Sequence, residues 1–327
     1  MSSEIILPWH KAIWNSLLQR KKSGRLPHAL LFSGIDGVGK KELAGHFANY
    51  LLCHSPDENN ACGHCRGCHF QQAKSHPDMM WVEPEEGAQL IKIDQIREIV
   101  NFVNSTAMLN GYRIIIINPA SAMNMNAANA LLKTLEEPTA NTLLILICNQ
   151  SLRLPATISS RCQKIIFETP ARDVALTWLN TENPFETISL ALNLAQGAPL
   201  LARDFIQNEI ISLRSNLYDG LIQLSSQQID PLSFATKWDD KDVKMILSLM
   251  ITWLQDLLRV KVTESQTQLM NPDYQIAISK IAPKLSFENL LQYAERIQKV
   301  YAQIINSLNM NRQLLLNEIF IQWVKLC

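Results

Sequence analysis

The stretch Gly34-Ile-Asp-Gly37-Val-Gly39-Lys40-Lys41 has the spacing of a phosphate-binding loop, G-x-x-x-x-G-K-[ST], with one substitution. In such a loop the backbone N–H groups wrap a phosphate, the lysine meets its oxygens, and the final hydroxyl sits on Mg²⁺. Lys41 stands where that hydroxyl belongs. An ammonium cannot coordinate a cation. Gly34, Gly37, Gly39 and Lys40 therefore keep the cradle while a metal ligand is lost. The other half of the metal site should be a carboxylate ending an apolar strand. The fitting strand, Ile114-Ile-Ile-Ile117, runs into Asn118-Pro119. Asn118 is neutral, Pro119 has no side-chain oxygen, and Mg²⁺ prefers carboxylate and phosphate oxygens. The expectation is a nucleotide site with no Mg²⁺, no general base and no turnover. The surviving Lys40 leaves ATP binding without turnover open.

Cys53, Cys62, Cys65 and Cys68 follow the spacing C-x8-C-x2-C-x2-C. Four thiolates gathered by tight turns suit tetrahedral Zn²⁺, one ion per chain. Gly63 and Gly67 would ease those turns. A closed four-ligand site leaves no position for water or substrate, so the zinc would be structural. His54, His64 and His69 lie nearby as substitute ligands, and redox chemistry of one C-x-x-C pair is the lesser alternative. Cys148, Cys162 and Cys327 are scattered and read as small apolar residues. A third candidate is Arg161, in Ser159-Ser160-Arg161-Cys162. It is either a surface residue in a local ion pair or a finger reaching a neighbour's γ-phosphate. A finger of that kind is worth about 10³–10⁵ in rate.

These residues need a scaffold to hold them. Short apolar runs at 29–33, 79–82, 113–117, 143–148 and 164–167 read as buried parallel strands. Between them, 40–53, 94–104 and 125–137 have helical period, the second with Asp94 as its N-cap. Strand and helix in alternation predict an α/β domain with a parallel sheet. The cysteines form an insertion between the loop's helix and the second strand. After about residue 168 the strands stop. Segments 171–179, 185–195 and 200–207 predict a small helical unit. Segments 240–261, 286–307 and 312–325 predict a larger bundle, with Ile246, Leu247, Met250, Leu254 and Leu257 as one core stripe.

The 327 residues suffice for two or three domains. Net charge is zero, so nucleic-acid contact must come from a local patch. No apolar run approaches the ~20 residues of a membrane span, and residues 1–9 lack a signal-peptide core. A cytoplasmic protein is expected, with thiols or metal ligands rather than disulfides.

Four passages carry a resemblance. They are Leu26-Pro-His-Ala-Leu-Leu-Phe-Ser-Gly34, the four-cysteine insertion, Ile91-Lys-Ile-Asp-Gln-Ile-Arg97, and Ala127-Ala-Asn-Ala-Leu-Leu-Lys-Thr-Leu-Glu-Glu-Pro138. Together with Ser160-Arg161-Cys162, they resemble the AAA+ clamp-loader subunits of bacterial DNA polymerase III, the delta-prime type in particular. The resemblance covers most of residues 1–168 and is loose beyond. It implies an AAA+ module with a zinc insertion (1–168), an all-α lid (169–208) and an all-α collar (209–327). It also implies a hetero-pentameric ring with motor (gamma/tau) and delta subunits, loading a sliding clamp onto primed DNA. Within that family the losses at Lys41, Asn118 and Pro119 favour the stator over the ATP-hydrolysing motor. Pro199, after Gly197-Ala198, stands where active members carry a nucleotide-sensing arginine. The resemblance makes Arg161 a finger supplied in trans. It puts DNA phosphate contacts near 124–129 and Lys133. It implies no ATPase or polymerase activity of the chain's own. The alternatives are a motor-type loader subunit and a zinc-bearing scaffold without enzymatic function.

Overall fold

The computed structural model describes residues 6–105, 107–109, 111–149, 154–182, 187–263, 269–305 and 311–327. The chain divides into two compact units, 1–183 with 197–201, and 184–196 with 202–327.

The first unit is built on five parallel strands in the order β2-β3-β4-β1-β5: β1 (Ala29–Gly34), β2 (Met79–Val82), β3 (Arg113–Ile117), β4 (Thr142–Cys148) and β5 (Gln163–Phe167). Every residue of β3 and β4 is buried. Runs of Ile and Leu, rather than alternation, are what a strand covered on both faces requires. The edge strand β5 is mostly exposed. Helices of this unit are α1 (Lys11–Lys22), α2 (Lys40–Leu52), α3 (Arg66–Gln72), α4 (Ile93–Asn104), α5 (Met125–Glu136), α6 (Ala156–Ser159) and α7 (Arg172–Glu182). Helix α4 starts one residue before the expected 94, and its cap is Lys92 rather than Asp94. The Gln95 side chain accepts from the Lys92 N–H at 3.1 Å, which begins the helix earlier. Asp94 instead pairs with Arg97 at 2.7 Å. Ile91 forms a bridge with Met123 and donates its N–H to Ala122, so α4 and α5 begin side by side.

Beyond α7 the described elements are helical. They are α8 (Ile188–Leu194), α9 (Pro199–Gln207), α10 (Ile210–Ser225), α11 (Pro231–Thr236), α12 (Val243–Thr263), α13 (Gln275–Ile281), α14 (Phe287–Ile305) and α15 (Arg312–Leu326). Expected helical positions 185, 186, 306 and 307 lie outside the described residues. The stripe Ile246, Leu247, Met250, Leu254 and Leu257 is buried, with Trp253, Trp323, Tyr218 and Phe320 in the same core. Within it lies a polar knot. Arg214 is fully buried, donates to Asn271 at 2.9 Å, and grips both oxygens of Asp273. Asp256, also fully buried, accepts from the Met270 and Asn271 N–H groups and the Asn271 amide. Each buried charge thus has partners, which is the condition for burying it. Among the described residues no helix is long and apolar enough to cross a membrane.

Candidate functional site

The carboxyl ends of β1, β2 and β3 bring the candidate residues together, where open α/β sheets place ligand sites. After β1 the chain turns through the loop into α2. Gly39 caps α2 with φ +93°, and a Cβ there would lie 2.6 Å from His10 Cε1. Only glycine fits both demands. The Lys40 side chain folds back into the loop. Its Nζ donates to the Gly34 carbonyl at 3.0 Å and the Ile35 carbonyl at 2.5 Å, and the residue is only 4% exposed. Burial pushes its pKa down, against the opposing pull of Asp36, Cys148 and Glu42. The outer loop carbonyls are satisfied by the chain as well. Leu200 N–H donates to Gly37 at 3.0 Å. The Trp9 indole and the His10 Nε2–H both donate to Val38, at 2.9 and 2.8 Å. The His10 ring packs edge-on to Phe167, and Trp9 to Trp178.

Lys41 points the other way. Its Nζ lies 2.7 Å from Glu83, the residue after β2. Asn118, after β3, donates its amide to the same carboxylate oxygen at 3.1 Å. Burial pushes the Glu83 carboxyl up, but the bonds from Lys41 and Asn118 prevail and hold it below its ordinary value.

Arg161 lies just past α6, before the edge strand. One guanidinium nitrogen donates to the Thr157 carbonyl at 2.8 Å and the other to Glu136 at 2.5 Å. Glu136 is the last residue of α5, whose preceding carbonyl, Leu135, accepts from His28 at 3.0 Å. At the other end of α5, Asn124 caps the helix by accepting from Ala127 N–H. The local ion pair expected for Arg161 is therefore present, and the side chain is still about a third exposed.

The four cysteines converge. All four sulfurs lie within 4.8 Å of one another. Cys53 and Cys65 are 3.8 Å apart, and Cys62 and Cys68 are 3.9 Å apart. Sulfurs held at ~2.3 Å around a tetrahedral zinc sit ~3.8 Å from one another, so the donor set fits that ion. N–H groups of Cys62, His54 and Cys68 point at these sulfurs, as thiolates require. Gly63 turns the chain with φ +79°. Gly67 does something other than turn: it is helical, and a Cβ there would lie 2.4 Å from the Leu52 carbonyl. Its bare face lets α3 press against the end of α2 and brings Cys68 to Cys53. The neighbouring histidines are not part of the cluster. Of the other cysteines, Cys148 is buried and Cys162 half-buried, but Cys327 is exposed.

A family model described as DNA polymerase III, delta subunit, matches residues 9–171, and one described as its C-terminal part matches 208–325. DNA polymerase III subunit delta' of Pseudomonas aeruginosa is 35% identical over 324 residues, 98% of each chain. The Escherichia coli K12 subunit delta' is 32% identical, over 96% of this chain and 94% of its own. The chain belongs to the delta' family of DNA polymerase III subunits. DNA polymerase III subunit tau of Bacillus subtilis is 35% identical, but over 48% of this chain and 27% of its own. A gamma-subunit-related structure from Thermotoga maritima aligns with TM-score 0.43 at 20% identity, covering 95% of this chain and 99% of that one.

In this delta' family member, Glu83, Glu136, Trp9 and His10 escaped sequence reasoning. The available signal for Glu83 was an acidic residue at the carboxyl end of a strand. His10 carried none, because nothing in the sequence says it will lie against Val38.

Two measurements follow. Purified chain should carry one thiolate-bound zinc, and Cys65→Ser should lower both metal content and protease resistance around 53–70. Metal-free wild-type chain that also refuses Co²⁺ would contradict the site. Burial pushes His10 from 6.5 to about 4, against its hydrogen bond to Val38. Its folded pKa lies below its unfolded value. The contribution of the neutral ring is therefore complete above pH 6.5 and shrinks as pH falls toward 4. His10→Gln should flatten the urea-midpoint profile across that window, by roughly 3 kcal/mol at most. Parallel profiles for the two proteins would remove His10 from the account.

Proposed function

We propose that the chain is the stator of a clamp loader, with a silent ATP site of its own and an arginine supplied to a neighbour's. The observation that carries the first half is that Lys41 and Asn118, at the two metal-ligand positions, both bond to Glu83 and offer no oxygen ligand there. Kinship over nearly the whole chain to the delta' subunits of Pseudomonas aeruginosa and Escherichia coli supports the stator reading.

Arg161 supports the second half. The guanidinium has five N–H donors, and the bonds to Thr157 and Glu136 leave others for a phosphate. It sits beside an exposed sheet edge, within reach of an adjoining subunit. Motor (gamma/tau) and delta subunits would complete a hetero-pentameric ring that places a sliding clamp on primed DNA in the cytoplasm. Duplex phosphates would be met near 124–129 and Lys133 without reading sequence. Zinc in the Cys53, Cys62, Cys65 and Cys68 cluster would staple an insertion that has little core of its own. The division into AAA+ module (1–168), lid (169–208) and collar (209–327) is supported by family matches that end at 171 and resume at 208.

In a reconstituted loader, Arg161→Ala should assemble normally and lower DNA-stimulated ATP hydrolysis at the one site it completes, by up to the roughly 10³–10⁵-fold worth of an arginine finger in trans. Unchanged turnover in an assembled complex would remove the finger assignment.

A further inference from the structure

The P-loop fold implies a divalent cation, and the residues present do not fit one. Mg²⁺ demands near-octahedral oxygen ligands. Here the position of the loop hydroxyl is held by Lys41, and the position of the strand-end carboxylate by Asn118. Both point at one group, Glu83, through contacts of 2.7 and 3.1 Å to the same oxygen. A carboxylate only accepts, so Asn118 must turn its N–H₂ toward Glu83 and not its oxygen. The Lys41 ammonium also lies over the Trp81 ring, 5.5 Å from its centre. Glu83 is pinned from behind, its carbonyl accepting from Gln95 at 2.8 Å. Three strand and helix ends thus meet around a positive charge that the chain itself supplies.

We propose that the Lys41 ammonium is a built-in substitute for the divalent cation. It neutralises Glu83, ties α2 to the ends of β2 and β3, and repels a metal ion from the site. The loss of the hydroxyl and the strand-end acid is then a replacement rather than simple decay. Lys41 and Glu83 are each about half exposed. Their pairing adds little to stability, because water screens such a pair. Its consequence is ionic selectivity. This inference rests on the reading of the loop as a degenerate nucleotide site.

The test is amide NMR of the full chain with Mn²⁺ and ATP, using an EDTA control. The wild-type resonances of Gly39, Lys40 and Lys41 should stay sharp. In the double variant Lys41→Thr with Asn118→Asp, the same resonances should lose most of their intensity and recover with EDTA. Retained peak dispersion would show that the variant is folded. Wild-type resonances that broaden reversibly would overturn both this inference and the degenerate-site reading. A folded variant that stays sharp, beside a sharp wild type, would overturn the inference alone, because something other than Lys41 would then exclude the ion.

Discussion

The contact on which the rest of the site depends is Lys40 against the carbonyls of Gly34 and Ile35. An ammonium 4% exposed must find oxygen, since an unpaired buried charge is prohibitively costly. The loop's own carbonyls provide it, while the Gly37 carbonyl accepts from Leu200 and the Val38 carbonyl from Trp9 and His10. Gly39 and Gly37 make this compact arrangement possible, because Cβ atoms there would strike His10 and Leu201. Lys41 closes the other side through Glu83.

Helix α5 links Arg161 to the sheet. Asn124 caps one end, His28 binds the Leu135 carbonyl near the other, and Glu136 then holds Arg161. The passages around His28, 127–138 and Arg161 are far apart in sequence and contiguous in space. That contiguity gives a physical reason for their occurring together. A helix clamped at both ends holds Glu136, and through it Arg161, in a fixed place beside the edge strand. The stability of the pair itself is small, since both side chains are partly exposed.

Much of the first unit was legible in the sequence. The five strands fall where short apolar runs put them, with ends within one residue. The cysteine cluster was legible because spacing alone limits what four close thiols can do. The short α3 (Arg66–Gln72) was not, because its start is capped by Cys65 and not by a conventional hydroxyl or amide. Helix α10 (Ile210–Ser225) was missed although its Leu217, Tyr218 and Leu221 are buried; Arg214 in the same helix masks an apolar stripe until Asp273 and Asn271 are seen to pair with it. Glu83 was missed for a related reason. Its significance lies in the two side chains that converge on it, from positions 42 and 35 residues away.

The central claim is that the chain's own nucleotide site does no chemistry. Phosphate release from ATP by the purified chain, with primed DNA and clamp present, tests it most directly, measured beside Lys40→Ala. The account predicts that the two proteins are indistinguishable and at background. Turnover in the wild-type chain that disappears in Lys40→Ala would contradict it.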